Sequence, residues 1–296
     1  MKRPRIIAIV GTTASGKSSL AVYLAKKFNG EIISADSRQV YRGLDIGTEK
    51  ISKKDMRGVR HHLLSVTDPK RIYSAADFKK DAKYALRKSL VRGKAPFVVG
   101  GTGLYLDALF SRNIFPDVPP NKVLRKRLAK KTAPELFAIL KKLDIRRART
   151  IDRNNPRRLE RAIEIATALG TVPPQKPAKS PYDVLWIGLS LDDLTLQKRL
   201  KARLKNALSR GLVRETKKLQ KTLSRKRVDE LGLEYRMVAA HLRGELTKEE
   251  LRRKLETELW HYAKRQKTWF KRNKNIVWFK PEETKKAEKE VQKFLR

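Results

Sequence analysis

The residues GTTASGKS, Gly11 to Ser18, follow the apolar run IIAIV and fit the phosphate-loop spacing G-x-x-x-x-G-K-[ST]. Glycines at both ends let the backbone curl until several N–H groups converge on one cluster of phosphate oxygens. The helix expected from Ser18 adds its positive dipole end, and Lys17 adds a full charge. Ser18 supplies a hydroxyl suited to Mg²⁺. Gly11, Thr12, Thr13, Ala14, Ser15, Gly16, Lys17 and Ser18 are therefore expected to cradle a diphosphate or a nucleotide. Spacing alone leaves the owner of that phosphate open: a hydrolysing ATPase, a kinase, or an enzyme acting on another diphosphate.

Phosphate-loop ATPases hold Mg²⁺ with an acid at the end of a second strand. Here the strand FVV runs into Gly100-Gly101-Thr102-Gly103, which has no acid. The strand-end carboxylate nearest the loop in sequence is Asp36, in ADSRQVY. It is placed to hold Mg²⁺, to orient a substrate hydroxyl, to take a substrate proton, or simply to cap the following turn. Thr102 lies on a glycine turn after a strand and is expected in the same crevice, because open α/β sheets bind ligands beyond the carboxyl ends of their strands.

Other patterns carry less. GGTGLYLDA lacks the third glycine of G-x-G-x-x-G, since Leu106 stands there. DDLTL resembles an aspartate-rich diphosphate motif but has Leu196 at its final acid, so Asp192-Asp193 are read as a helix cap. His61-His62 would face opposite ways on a strand, with no Cys or carboxylate pattern to complete a metal site. Trp260, Trp269 and Trp278, nine apart, are read as core or docking residues.

The elements that must position these residues alternate strand and helix over 1–112. Strands are expected at Ile6–Val10, at GEIISAD up to Asp36, and at Phe97–Val99, with a helix over Ala75–Leu90. A proline-rich stretch, FPDVPPNKV, then opens a purely helical run from Lys122 to about Leu169, closed by TVPPQKPAKSP. YDVLWIGLSL resumes a strand, helices follow from Leu194, and NIVWF ends the pattern as a strand. The expected organisation is a core of residues 1–115 and 182–296, with 116–181 as a helical insertion.

Composition points to a partner. The chain has 71 Lys+Arg against 31 Asp+Glu, a net charge of +40. Ion-pair networks of the thermophilic kind raise both signs together, so the one-sided excess favours a polyanion, with nucleic acid the obvious candidate. Residues 122–161 carry 15 basic and 4 acidic side chains, and residues 198–227 carry 13 and 1. In the second stretch Leu196, Leu200, Leu204 and Leu208 make one apolar face, so its basic residues are expected to look outward. No apolar run reaches bilayer length, and Lys2, Arg3 and Arg5 precede only five apolar residues, which reads as a strand rather than a signal peptide. The absence of cysteine excludes a disulfide framework and a thiolate metal site and suits the cytoplasm.

Taken in order, GTTASGKS, ADSRQVYRGLDIGTEK, HHLLSVTDP, YSAADF, VVGGTGLYLDALF, NNPRRLERAIE and AKRQKTWF resemble the tRNA dimethylallyltransferase (tRNA isopentenyltransferase) family, bacterial type, over nearly the whole chain. The resemblance implies an α/β, P-loop NTPase-like parallel sheet flanked by helices, with an all-helical insertion domain that contacts the tRNA anticodon stem-loop. It implies transfer of a dimethylallyl group from dimethylallyl diphosphate to the N6 amine of the adenosine 3′ of the anticodon, with Mg²⁺ and release of pyrophosphate. A cytoplasmic monomer is expected. Asp36 resembles the family's general base, and Thr102 the threonine that helps place it or the donor. Ser37, Arg38 and Gln39 fall in the stretch used on the target nucleotide. Arg125, Arg157, Arg158, Arg161, Lys264, Arg265, Gln266 and Trp269 match tRNA-contact positions.

The sequence also departs from that pattern. Thr12 replaces a frequent proline and Ser18 a frequent threonine, which leaves backbone donors and a hydroxyl in place. The frequent IGYKE reads LGLEYR, Leu231 to Arg236, and Trp260-His261 stand where an arginine pair often precedes YAKRQ, so no role is carried over to those segments. Three alternatives remain: an isopentenyltransferase on free adenine nucleotides, a P-loop small-molecule kinase, and a non-catalytic or ATP-driven RNA-binding protein. The first two do not account for two basic helical surfaces.

Overall fold

A computed structural model describes residues 3–110, 116, 118–174 and 180–296. The chain divides into two compact units: Met1–Ser111 with Ser180–Arg296, and Arg112–Lys179. The proline-rich segments expected to bound the insertion fall partly on 115, 117 and 175–179, outside the described residues.

In the first unit the order is β1 (Arg5–Gly11), α1 (Lys17–Lys27), β2 (Gly30–Ser34), β3 (His61–His62), α2 (Ala75–Val91), β4 (Ala95–Gly100) and α3 (Gly103–Phe110). The helical unit contains α4 (Lys122–Leu128), α5 (Ala133–Leu143), α6 (Ile145–Ala148) and α7 (Pro156–Leu169). The first unit then resumes with β5 (Asp183–Leu189), α8 (Asp193–Ser209), α9 (Leu212–Gln220), α10 (Arg225–Glu230) and α11 (Leu233–Leu242). It ends with α12 (Lys248–Lys271), β6 (Ile276–Phe279) and α13 (Thr284–Leu295).

All strand pairs are parallel, in the order β3-β2-β4-β1-β5-β6. β1 lies between β4 and β5, with Ile9 opposite Val99 on one side and Ile187 on the other. Its apolar run is buried on both faces because helices cover both. Ile6, Ala8 and Val10 pack with Phe78, Leu86 and Leu106 of α2 and α3, whereas Ile7 and Ile9 pack with Leu20 and Leu24 of α1 and Val291 of α13. The two-residue side-chain period of a strand makes this division.

A further core joins Val40 and Leu44 to Leu204 of α8, Leu212 of α9, Val228 of α10, Tyr235 of α11 and Leu255 of α12. Asp192 caps α8 through the Thr195 N–H at 2.8 Å, as its sequence predicts. Thr247 and Glu250 form a capping box on α12, and Ser74 with Asp77 form one on α2. The strand ending in β2 stops at Ser34, two residues before Asp36, so Asp36 lies on the loop beyond the carboxyl edge. The helical unit has its own core, in which Leu136 and Leu140 of α5 meet Leu159 and Ile163 of α7.

His61 and His62 form the short edge strand β3. His62 Nε2 lies 2.8 Å from the buried Glu31 carboxylate, which also takes two hydrogen bonds from Arg92. Burial would raise the Glu31 pKa, but bonding to Arg92 and His62 overrides it and holds the carboxyl at about 2. This cluster sits near the start of β2, at the opposite end of that strand from Asp36. It ties α2 to the sheet edge.

Candidate active site

β1 ends at Gly11 and α1 begins at Lys17, so residues 12–16 make the turn between them. Gly16 caps α1 with φ 95° and no side-chain hydrogen bond, which leaves the first N–H groups of the helix to an anion. Ala14 also has a positive φ, 61°, and the alternation curls the loop. Ser15 is fully buried, and its Oγ has no partner among the described residues. A buried hydroxyl without a partner is costly, and a phosphate oxygen in the loop is a fitting acceptor.

Lys17 Nζ donates to the Thr12 carbonyl. Burial pushes the ammonium pKa down to about 8, with Asp36 pulling it the other way. Two arginines of α8 also lean onto the loop. Arg199 reaches the Ala14 carbonyl at 3.5 Å, and Arg203 donates to Thr13 Oγ1. Arg203 also pairs with Glu49 at 3.2 Å and Glu234 at 3.3 Å. Three cationic groups therefore surround a loop whose backbone already favours anions.

The next two strands of the sheet supply the acidic side. Asp36 Oδ1 accepts the N–H groups of Arg38 at 2.8 Å and Gln39 at 3.2 Å, which fixes the carboxylate on its own turn. The capping reading of Asp36 thus holds for one oxygen. The other makes no hydrogen bond among the described residues. Thr102 Oγ1 accepts the Ser37 N–H at 3.0 Å, and the Thr102 N–H donates to the Ala35 carbonyl. Thr102 therefore grips the segment on both sides of Asp36. The Arg38 guanidinium is anchored on the Glu230 carbonyl at 2.8 Å, and the Gln39 amide on the Thr48 carbonyl at 3.1 Å. The charge of Asp36 helps raise the Tyr262 phenol pKa, behind the larger effect of desolvation.

Two expectations need correction. Gln266, expected among the tRNA contacts, is buried, at 6% exposure. Its carbonyl accepts the Thr13 N–H at 2.8 Å and its amide donates to the Gly101 carbonyl at 2.9 Å, which locks the phosphate loop to the glycine turn. Gly101 must lack a Cβ, because one would lie 2.3 Å from that amide nitrogen. The basic residues of 198–227 were expected to face outward and most are exposed, but the side chains of Arg203 and Arg227 are only 11% and 13% exposed. Arg227 donates to the Pro69 and Arg71 carbonyls. Trp269 is half-buried and packs where a Cβ of Gly103 would stand, while Lys264 and Arg265 are exposed beside Trp260 and Tyr262.

Arg203, Glu49, Glu234 and Tyr262 escaped the sequence reading. A signal for Arg203 was present: Arg199 and Arg203 each precede a buried leucine, Leu200 and Leu204, so both flank the apolar stripe instead of opposing it.

In the helical unit, Arg125 and Arg161 share the buried carboxylate of Glu164. Arg125 donates at 2.9 and 2.8 Å, Arg161 donates as well, and the Asn121 N–H adds 2.7 Å. Burial works against ionisation of Glu164, but the arginine bonds hold its pKa below the usual range. The two arginine side chains keep 40% and 36% exposure. Arg157 and Arg158, in the first turn of α7, are exposed.

Among the described residues no group of three His, Cys, Asp or Glu could hold a metal. Mg²⁺ suits a different donor set, one protein hydroxyl with diphosphate oxygens and water, and Ser18, exposed at the second position of α1, offers that hydroxyl.

A parallel sheet with a phosphate loop at its carboxyl edge, and a turn without an acid at the end of β4, defines a phosphate-loop α/β enzyme of the group-transfer kind. Residues 39–273 match the family described as IPP transferase, and the chain belongs to that family. A tRNA dimethylallyltransferase of Pelotomaculum thermopropionicum is 36% identical over 100% of this chain and 96% of its own. One from Shewanella sediminis is 40% identical over 92% and 90%. The solved tRNA isopentenylpyrophosphate transferase of Bacillus halodurans superimposes with a TM-score of 0.76 at 36% identity, covering 99% of this chain and 97% of that one. A eukaryotic dimethylallyltransferase solved acting on tRNA gives 0.78 at 27% identity, over 94% and 74%. Among the described residues no helix is long and apolar enough to cross a membrane.

Proposed function

We propose that this protein is a tRNA dimethylallyltransferase that moves a dimethylallyl group from dimethylallyl diphosphate to the N6 amine of the adenosine 3′ of the anticodon. One observation carries the reading: a cation-ringed phosphate loop and a turn-fixed carboxylate lie on the same carboxyl edge of one sheet, joined by Gln266 and Thr102. The donor's C1–O bond breaks and a C1–N6 bond forms. The amine proton passes to Asp36 and pyrophosphate leaves.

The loop N–H groups, Lys17, Arg203 and Arg199 stabilise charge that grows on the leaving oxygens. Ser18 would hold Mg²⁺, which would supply neutralising charge there. Asp36 presents its second oxygen to the amine, and Thr102 keeps the Asp36–Ser37 turn in place. Ser37, Arg38 and Tyr262 frame the acceptor base, which must leave its stack to be reached. Arg125, Arg157, Arg158 and Arg161 of the helical unit, with Lys264 and Arg265, take RNA phosphates. The protein works as a cytoplasmic monomer.

The test is incubation with unmodified tRNA, Mg²⁺ and dimethylallyl diphosphate, followed by digestion and weighing of the nucleosides. A prenylated adenosine is expected. Unmodified adenosine from folded protein, or phosphoryl transfer from ATP to a small hydroxyl compound in a parallel arm, would overturn the reading. Prenylation of free AMP in preference to tRNA would favour the free-nucleotide alternative.

A further inference from the structure

Glu215 of α9 binds nothing in the site, yet it accepts hydrogen bonds from four donor groups. Its carboxylate accepts the consecutive N–H groups of Asp45 at 3.0 Å, Ile46 at 2.9 Å and Gly47 at 3.1 Å, and the Tyr235 hydroxyl at 2.7 Å. Three successive N–H groups turned to one point form an anion nest, here filled by the protein's own carboxylate. Gly47 sits so close to Tyr235 that a Cβ would lie 2.8 Å from the phenol. The turn therefore rests on both residues.

The same turn reaches the phosphate loop. The Gly47 carbonyl accepts from Arg203 at 3.3 Å, and Glu49, in a left-handed conformation with φ 47°, pairs with the Arg203 Nε at 3.2 Å. A left-handed glutamate is uncommon and persists where its surroundings fix it. Arg203 then donates to Thr13 Oγ1 in the loop. Glu234 adds a third hold on Arg203, and it neighbours Tyr235 on α11. Both belong to the LGLEYR segment, where this chain departs from the pattern it otherwise resembles.

We propose that Glu215 and Tyr235 are positioning residues for the donor: they fix the Asp45–Glu49 turn, which holds Arg203 at the phosphate loop and so sets affinity for the diphosphate. Neither residue touches the donor. This inference rests on the reading of the loop as the site of a prenyl diphosphate. It assigns work to the GLDIGTEK stretch that the reaction itself leaves without a role.

Steady-state kinetics with tRNA and dimethylallyl diphosphate on Glu215→Gln and Tyr235→Phe test it. Loss of one hydrogen bond to a charged group predicts a donor KM raised about threefold in Tyr235→Phe, and about tenfold in Glu215→Gln, where an amide meets three N–H groups. The KM for tRNA stays at its wild-type value. In an Arg203→Lys background, Glu215→Gln gives less than its single-variant rise, because both changes act on one hold. Folded variants with a wild-type donor KM would overturn the proposal, as would full additivity with Arg203→Lys. So would a rise in both KM values together with a fall in melting temperature, the mark of a purely structural role. If Glu215→Gln does not fold, Tyr235→Phe and its cycle with Arg203→Lys decide the matter. Failure of the wild-type protein to bind dimethylallyl diphosphate would instead sink the functional reading on which this one stands.

Discussion

Arg203 in the sheet unit and the Arg125–Arg161 pair in the helical unit solve the same problem differently. Arg203 is held by two carboxylates, a carbonyl and a threonine hydroxyl, and keeps 11% exposure. Arg125 and Arg161 share one buried carboxylate and keep 40% and 36%. A guanidinium fixed from several sides can meet one small anion in one geometry. A guanidinium fixed by one edge keeps its other edge for a polymer whose phosphates arrive over a wider surface. The difference fits the proposed division, with the first given to the donor and the second to the RNA, and four changes would break or sharpen it.

The largest effect is expected at the acidic side. Asp36→Ala should lower the single-turnover rate of prenyl transfer by about a thousandfold, the usual span for a general base, with tRNA affinity in a filter-binding assay kept. Next, Arg203→Ala should raise the donor KM by about 10- to 100-fold, as loss of charge-assisted bonds predicts, with the KM for tRNA unmoved. A comparable rise in the tRNA KM would erase the contrast with Arg125 and Arg161.

Lys17 adds a pH test to the donor side. Its ammonium pKa is lowered to about 8 by burial, and a bound diphosphate raises it again. Donor binding is therefore strongest below pH 8 and weakens as pH rises through that value, by up to about tenfold per unit, with proton uptake on binding. Calorimetry at pH 8 in buffers of different ionisation enthalpy measures that proton. In the free protein the sign for stability is the reverse. The depressed folded pKa costs stability below pH 8, and that cost is relieved between pH 8 and the ordinary lysine value of 10.5.

The smallest effect is on the RNA side. Arg158→Gln should weaken tRNA binding only a few-fold and lower the slope of log affinity against log salt by about 1, as one lost phosphate contact predicts. Glu164→Gln sharpens the comparison further. It removes the charge that orients Arg125 and Arg161, so it should weaken tRNA binding without changing the donor KM.

Much of the fold was legible because burial on both faces writes strands as short apolar runs. IIAIV, APFVVG and DVLWIGL are all parallel strands, and the phosphate loop declares itself by spacing. The Asp192 cap was readable from residue type. The two-residue strand His61–His62 was not, because it exists only through its pairing with Ile32 and Ile33 of β2, far along the chain. Gln266 lay in a motif read as RNA-facing, yet its amide spans two loops that only the folded sheet brings together. Arg203 shows the same limit from the other side. A charge count along 198–227 treats all basic residues alike, whereas a position flanking the leucine stripe is carried inward to meet Thr13.

The central claim is that the loop grips a prenyl diphosphate as a leaving group and the edge beside it accepts the proton of an RNA amine. The most direct test measures pyrophosphate and prenylated adenosine in one reaction of wild-type protein with tRNA, Mg²⁺ and dimethylallyl diphosphate. Equal yields of the two products, both abolished in Asp36→Ala, are predicted. Pyrophosphate released without prenylated adenosine, or undiminished prenylation in Asp36→Ala, would contradict it.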